Sequence, residues 1–361
     1  MKKRTKSSKV RENIASNRAL YVIGRPSYRH NPYRTPSVLG RHPIIVPPVL
    51  SIFGESVRKD FYKLLRQVSE VPLGGKLILD FTDMSDMKIP AVLILYAHLE
   101  IMLEADKRSR LIWRKPKDQL INKGLSDIGF WTLSGEQYTE VPGAIRICSV
   151  SYEGNQKGNT QPLKDAIIYA KHAVSNYGPT LPDGEDGGAA FDAISESFTN
   201  VWQHAYPEGI QKDFKTLSRF PQLKKWWIAQ AYIGGQLFMA VYDVGVGIPF
   251  SIREQSWYDS FLRDFTDILK LENADGKDIK MALEYGSSRF KKQGRGNGFP
   301  AMKNFVEINP NGELCVMSGK ALYRYHSLGR GEQYDNLKNR YPGTLIQWNV
   351  RLESGGGDHE N

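Results

Sequence analysis

Apolar and polar positions recur with two different periods along this chain, and these periods predict an ordered set of helices and strands. Over the first 150 residues, short apolar runs alternate with stretches of helical period. Alternating strands and helices are typical of an α/β domain with a mostly parallel sheet. The predicted strands are residues 47–53, 76–81 and 110–114, and the predicted helices are 55–70, 89–105 and 117–128.

Beyond residue 150 the pattern changes. Residues 152–160 are polar and rich in glycine, which predicts a domain boundary there. Gly234-Gly235 separates two strand-like runs and predicts a β-hairpin. We therefore expect helices on one face of a largely antiparallel sheet. The predicted helices are 162–176, 188–205 and 299–306, and the predicted strands are 226–233, 236–243, 314–317, 322–325 and 344–352.

The charge of the chain is concentrated at its start. The net charge is +10, yet the first 45 residues contain 11 Lys or Arg and one acid, Glu12, so the remainder is neutral. This predicts a flexible basic arm, which either binds nucleic-acid phosphates or acidic protein surfaces, or remains a solvated tail. The predicted organisation is an arm at 1–45, an α/β domain at 46–150, a second domain at 151–352 and a loose tail at 353–361.

Composition excludes several classes of protein. No run approaches the roughly 20 apolar residues that a membrane span requires. Only two cysteines are present, Cys148 and Cys315, which argues against a disulfide framework and favours a reducing compartment. We expect a cytoplasmic α/β protein that binds no membrane and is compatible with an oligomer.

The first candidate site segment is a polar stripe on the predicted helix 188–205. Glu196, Asn200 and His204 are four residues apart, so they share one helix face opposite an apolar face. An amide oxygen suits Mg²⁺ coordination, and a carboxylate one turn away can deprotonate an attacking hydroxyl. Taken alone, such a stripe is also typical of a solvated polar face.

The second segment is Asp243-Val-Gly245-Val-Gly247-Ile248, directly after an apolar strand. A carboxylate at a strand end, beside glycines whose backbone can approach a ligand closely, can accept a hydrogen bond from an exocyclic amino group. Such a group distinguishes adenine. Strand-end turns often have this composition without a ligand.

The third segment is rich in glycine and precedes the predicted helix 299–306. Glycine amides at a helix N-terminus form an anion site that suits phosphate. Residues 275–293 before it are polar and predict a mobile lid, although a plain loop has the same composition. The candidate ligand-contacting residues here are Ser287, Ser288, Gly294, Arg295, Gly296, Asn297 and Gly298.

In this order the three segments resemble the ATP-binding domain of the GHKL superfamily, which groups gyrase, heat-shock chaperone, histidine kinase and mismatch-repair ATPases. The resemblance covers about residues 162–352, and Gly343-Thr344 resembles the closing Gly-Thr of that family. It implies a Bergerat-type two-layer α/β sandwich that binds ATP and Mg²⁺, with Asn200 as metal ligand, Glu196 as catalytic base and Asp243 as adenine contact. The other nucleotide contacts that it implies are His204, Gly245, Gly247, Ile248, Ser287, Ser288, Gly294, Arg295, Gly296, Asn297, Gly298 and Thr344.

The sequence of residues 195–206 most resembles that of the anti-sigma-factor serine kinases of bacterial partner switching. It is Ser-Glu-Ser-Phe-Thr-Asn-x-x-x-His-Ala-Tyr. The first domain resembles a STAS domain in which Lys88-Ile-Pro-Ala91 replaces the phosphoacceptor serine. A histidine kinase is disfavoured because His172 is followed by Ala173 and not by an acid. A gyrase-like enzyme is disfavoured because no transducer domain follows Leu352.

These resemblances imply a nucleotide-dependent ATPase that acts as a regulatory switch on a partner protein. Two alternatives stay open: a serine/threonine protein kinase of the anti-sigma-factor type, and a non-catalytic nucleotide-binding interaction module.

Overall fold

The structure is a computed structural model. It describes residues 6–24, 36–139, 146–151, 205–206, 224–233, 235–256, 258–264, 273–285, 298–307, 311–327 and 331–351, with the single positions 168 and 329. The chain forms two compact units: the described residues up to Thr139 belong to the first, and those from Arg146 onward belong to the second. The α/β class predicted from the sequence is confirmed, with parallel pairing in the first unit and antiparallel pairing in the second.

The first unit is built on a parallel sheet in the order β1-β3-β5. Its strands are β1 (His42–Ile45), β3 (Lys76–Asp80) and β5 (Arg110–Arg114), while β2 (Val49–Leu50) and β4 (Asp86–Met87) form a separate short parallel pair. Its helices are α1 (Lys6–Ile23), α2 (Glu55–Ser69), α3 (Ile89–Ala105) and α4 (Gln119–Asp127), followed by a 3-10 helix at Phe130–Ser134.

Local features of the sequence explain where the elements of the first unit form. Leu77, Ile78 and Leu79 of β3 are fully buried, as an apolar run in a parallel sheet requires. Helix α3 starts with a proline in its first turn, where no N–H is needed. Asp118 caps α4 by accepting from the Leu120 and Ile121 N–H groups.

The prediction of a flexible arm at residues 1–45 is wrong for the described part of that segment. Helix α1 packs against the sheet, with Ala19 and Leu20 buried against Ile78. The Glu12 carboxylate lies 3.6 Å from Arg41 and 3.4 Å from Lys76. Strand β1 also falls within the predicted arm, and it pairs with β3. The domain therefore begins before residue 46.

The second unit is built on a five-stranded antiparallel sheet in the order β6-β7-β8-β10-β9. Its strands are β6 (Arg146–Ser151), β7 (Lys225–Ile233), β8 (Gln236–Asp243), β9 (Glu313–His326) and β10 (Gly331–Arg351). The described helices are α5 (Ile248–Arg253), α6 (Tyr258–Asp264), α7 (Ala274–Tyr285) and α8 (Gly298–Glu307).

Three sequence-based boundaries change in this unit. The predicted domain start at residue 151 is too late, because β6 is an edge strand of this sheet. The strands predicted at 314–317 and 322–325 are one strand, β9, whose chain continues through Gly319 with a positive φ of 60°. Most of α7 lies within the segment predicted as a mobile lid, so residues 275–285 are helical instead.

One face of the sheet and three helices form the core of the second unit. Ile248, Ile279 and Met302, from α5, α7 and α8 respectively, belong to the same buried cluster as alternate residues of β7 to β10. The Phe305 ring meets Trp348 edge-on at 5.1 Å between centroids. This packing matches the predicted layer of helices on a largely antiparallel sheet. Among the described helices, none combines the length and the apolar character needed to cross a bilayer.

Candidate functional site

Asp243 is the last residue of β8, and its side chain is 2% exposed. Its Oδ1 atom accepts the Gly245 N–H at 2.7 Å. In the sheet Asp243 is paired with Trp226 of β7 on one side and with Thr344 of β10 on the other. The carboxylate is therefore fixed by the strand behind it and by the turn in front of it.

A buried pair of hydroxyl groups lies next to this turn. Ser318 of β9 is paired with Thr344, and their oxygens are 3.1 Å apart. Ser318 Oγ accepts the Ile248 N–H at 2.9 Å and donates to the Gly343 carbonyl at 3.2 Å. This arrangement ties the start of α5 to the middle of β9 and β10, beside the end of β8 where Asp243 lies.

Two glycines permit this close packing of backbone. A Cβ at Gly247 would lie 2.8 Å from Ser318 Oγ, and the residue has a positive φ of 83°. A Cβ at Gly343 would overlap the Asp243 carbonyl oxygen and lie 2.6 Å from its carbonyl carbon. Gly343 also has a positive φ, 71°. Any side chain at either position would push apart the elements that form the turn.

The end of the first candidate segment meets the second one here. Ala205 and Tyr206 directly follow His204, and the Ala205 carbonyl accepts the Val246 N–H at 2.9 Å. The Tyr206 hydroxyl accepts the Val244 N–H at 3.2 Å and donates to the Lys225 carbonyl. A Cβ at Gly245 would overlap the Ala205 carbonyl oxygen. The two segments are thus joined through their backbones.

Two tyrosines, the partly buried Tyr206 and the buried Tyr242, lie near Asp243. Burial, and then the nearby carboxylate of Asp243, raise the pKa of Tyr206 well above its ordinary value. The same two causes raise the pKa of Tyr242, whose hydroxyl donates to the Pro342 carbonyl at 3.1 Å. Both tyrosines therefore remain neutral hydrogen-bond donors beside the buried Asp243 side chain.

We expect Tyr206→Phe to lower the free energy of unfolding by about 1–3 kcal/mol, because a donor at Val244 and an acceptor at Lys225 lose their partner. Urea unfolding followed by circular dichroism measures the effect. Tyr21→Phe is the matched control, since Tyr21 is 65% exposed on α1, and we expect a change below about 0.5 kcal/mol. Equal effects of the two changes would contradict a structural role for the Tyr206 hydroxyl.

An ionic cluster around the buried Asp275 and Asp278 holds the other end of α5. Arg253 pairs with Asp278 and lies 3.1 Å from Asp275 Oδ1, while the Tyr258 hydroxyl donates to Asp278 at 2.7 Å. Asp275 Oδ2 accepts the Lys320 N–H at 2.8 Å. The cluster joins α5, α6, α7 and β9, so it fixes the helix whose first N–H contacts Ser318.

The structure places some predicted site residues together and leaves others outside its described residues. The residues brought together where β8 ends are Asp243, Gly245, Gly247, Ile248 and Thr344. Gly298 is the first residue of α8. The predicted residues outside the described ranges are Glu196, Asn200, His204, Ser287, Ser288, Gly294, Arg295, Gly296 and Asn297.

Ser318 and Tyr206 are site residues that the sequence analysis missed. Ser318 is fully buried, yet it lies in an ordinary strand and only its register against Thr344 shows its position. Tyr206 follows directly on the first candidate segment, and that adjacency was the available signal.

Within the described ranges, no group of three His, Cys, Asp or Glu side chains could hold a metal ion. The predicted metal ligand, Asn200, lies outside those ranges. Comparison with models of known protein families and with the curated proteins found no match.

Proposed function

We propose that this protein binds ATP with Mg²⁺ and acts as a nucleotide-dependent regulatory switch on a partner protein. The observation that carries the proposal is the cluster at the end of β8. There a buried carboxylate, Asp243, lies beside the Thr344 and Ser318 hydroxyls and beside closely packed glycine backbone. The GHKL resemblance supplies the assignment of this cluster to adenine.

The chemistry of the cluster fits an adenine ring. The exocyclic amino group of adenine is a donor, and the two oxygens of a carboxylate together offer about four acceptor positions, one of which accepts the Gly245 N–H. The hydrogen bond from Gly245 orients the carboxylate. The neighbouring hydroxyls can both donate and accept, so they suit the ring nitrogens or a bridging water.

The phosphates belong, in this proposal, near the N-terminus of α8. That helix begins at Gly298, and the glycines before it in sequence, Gly294 and Gly296, offer backbone N–H donors. Mg²⁺ held by the Asn200 amide oxygen would neutralise phosphate charge. Glu196 would accept the proton of the attacking hydroxyl group.

The fate of the γ-phosphoryl group distinguishes hydrolysis from protein phosphorylation. The same base can activate water or the hydroxyl of a serine, because catalysis of phosphoryl transfer rests mainly on positioning and charge neutralisation. The sequence of residues 195–206 favours the serine kinase as the second candidate. The cytosol is the proposed location of either activity, as the low cysteine content of the chain suggests.

The test is calorimetric titration of the full chain with ATP and Mg²⁺, followed by assays of phosphate release. We expect the full chain to bind ATP at or below millimolar concentration. Glu196→Ala should keep this affinity, and its rate of phosphate release should be lower by about 100-fold or more. Transfer of labelled phosphate to a co-purified protein would establish the kinase in place of the ATPase. Absence of binding at millimolar ATP would refute the proposed function. Activity in cells that Glu196→Ala retains and Asn200→Ala loses would indicate a non-catalytic nucleotide-binding module.

A further inference from the structure

Helix α1 has a second apolar face, directed away from the sheet that it covers. Val10, Ile14 and Tyr21 are 55%, 56% and 65% exposed. Asn17, which is also exposed, lies between Ile14 and Tyr21. The intervals along the four residues, starting from Val10, are four, three and four positions. This is the spacing of the core positions of a heptad repeat, which places all four in one stripe along the helix. We call these four residues the outer stripe.

The direction of the outer stripe is fixed by contacts on the opposite side of α1. Ala19 and Leu20 are buried against Ile78, and Ser16 is 4% exposed. Glu12 lies within ion-pair distance of Arg41 and Lys76. Rolling the helix to bury the outer stripe would break these contacts. The stripe is therefore held outward by the fold.

The outer stripe is bordered by positive charge. Arg11 and Arg18 are exposed and seven residues apart, so they occupy the same flanking position of successive heptads. The first 45 residues contain 11 Lys or Arg and a single acid, Glu12, and Glu12 faces the sheet. A second copy of α1 would bring these charges together, so self-pairing is disfavoured.

We propose that the outer stripe of α1 binds an amphipathic helix of a partner protein whose apolar seam is flanked by Asp or Glu. The apolar residues of the stripe would pack into that seam, and the acidic flanks would pair with Arg11 and Arg18. Asn17 at a core position would set the register of the two helices. An exposed apolar stripe distinguishes this surface from a nucleic-acid interface, which contacts phosphates chiefly through charged and polar groups.

The test uses two labelled synthetic peptides of three heptads, with Ile, Leu and one Asn at the core positions. One peptide carries Glu at the flanking positions and the other carries Lys. Fluorescence anisotropy measures their binding to the full chain. We expect the Glu peptide to bind with a Kd of about 10–100 µM and more weakly as salt rises, and the Lys peptide to bind at least tenfold more weakly.

Variants locate the binding surface. We expect Ile14→Asp to weaken Glu-peptide binding at least tenfold, because it places a charge in the centre of the stripe. Leu120→Asp is the matched control, since Leu120 is 81% exposed on α4, and it should leave binding unchanged. Arg18→Glu leaves one positive and one negative flanking residue, so it should remove most of the preference between the two peptides. Circular dichroism checks that each variant is folded.

Three results would overturn the proposal. The first is equal binding of the two peptides, or binding of neither. The second is self-association of the wild-type chain, measured by analytical ultracentrifugation, that Ile14→Asp abolishes, since the occupant would then be a second copy. The third is salt-sensitive binding of duplex DNA or RNA that removes the Glu peptide, since the surface would then serve nucleic acid.

Discussion

Gly343→Ala is expected to destabilise the second unit by more than about 4 kcal/mol, which is enough to unfold many domains. Two causes add at this position. A residue with a side chain resists the positive φ of 71°, at a cost of about 1–2 kcal/mol. The new Cβ would also overlap the backbone of Asp243, and neither β8 nor β10 can move without breaking the pairing of Thr344 with Asp243. Chemical denaturation measures the loss.

Gly329→Ala is the matched control for this prediction. Gly329 has nearly the same positive φ, 70°, but nothing lies within 4 Å of a Cβ built there. We expect it to cost only the conformational part, about 1–2 kcal/mol. The difference between the two variants then isolates the close approach of β10 to Asp243. Equal losses of stability in the two variants would mean that the positive φ alone accounts for the effect at Gly343. The close approach of β10 to Asp243 would then have no influence on stability.

Asp243→Asn is expected to weaken ATP binding by about 10–150-fold, the factor that corresponds to a lost hydrogen bond to a charged acceptor. The amide has the same shape, and its oxygen can still accept the Gly245 N–H. That hydrogen bond turns the amide NH₂ toward the other side, where it would face the adenine amino group donor to donor. Isothermal titration with ATP and Mg²⁺ measures the change.

Nucleotide selectivity makes the same prediction more specific. Guanine presents a carbonyl where adenine presents the amino group, so a carboxylate acceptor disfavours GTP. We expect wild type to prefer ATP and Asp243→Asn to lose most of that preference. Asp259→Asn on α6 is the control, because Asp259 is exposed, and its ATP affinity should equal that of wild type. An unchanged ATP to GTP ratio in Asp243→Asn would place the adenine elsewhere.

Local patterns predicted most of the elements but not their partners. The apolar run of α3, the strand β3 and the hairpin of β7 and β8 follow directly from period and turn residues. Helix α1 was missed because its apolar residues lie on two opposite faces, one against the sheet and one outward, so no single amphipathic stripe stands out. Its basic composition then indicated an arm.

Tertiary pairing explains the other differences. Strand β6 was assigned to the wrong domain because it pairs with β7, which follows more than 70 residues later in the sequence. The polar composition of residues 275–285 predicts a lid. In the structure, however, Asp275 and Asp278 are buried and paired with Arg253 of α5. At the candidate site, sequence identified Asp243, whereas Ser318 depended on a register that no local pattern contains.

The pairing of β6 with β7 also determines how this sheet can assemble. Ser151 is paired with Lys225, so this contact joins positions that lie more than 70 residues apart in the sequence. Closing a loop of that length costs about 4 kcal/mol of chain entropy, whereas the tight turn between β7 and β8 costs far less. The hairpin can therefore form early, and β6 joins it late. The strand that carries Asp243 is therefore paired before the sheet gains β6 at its edge.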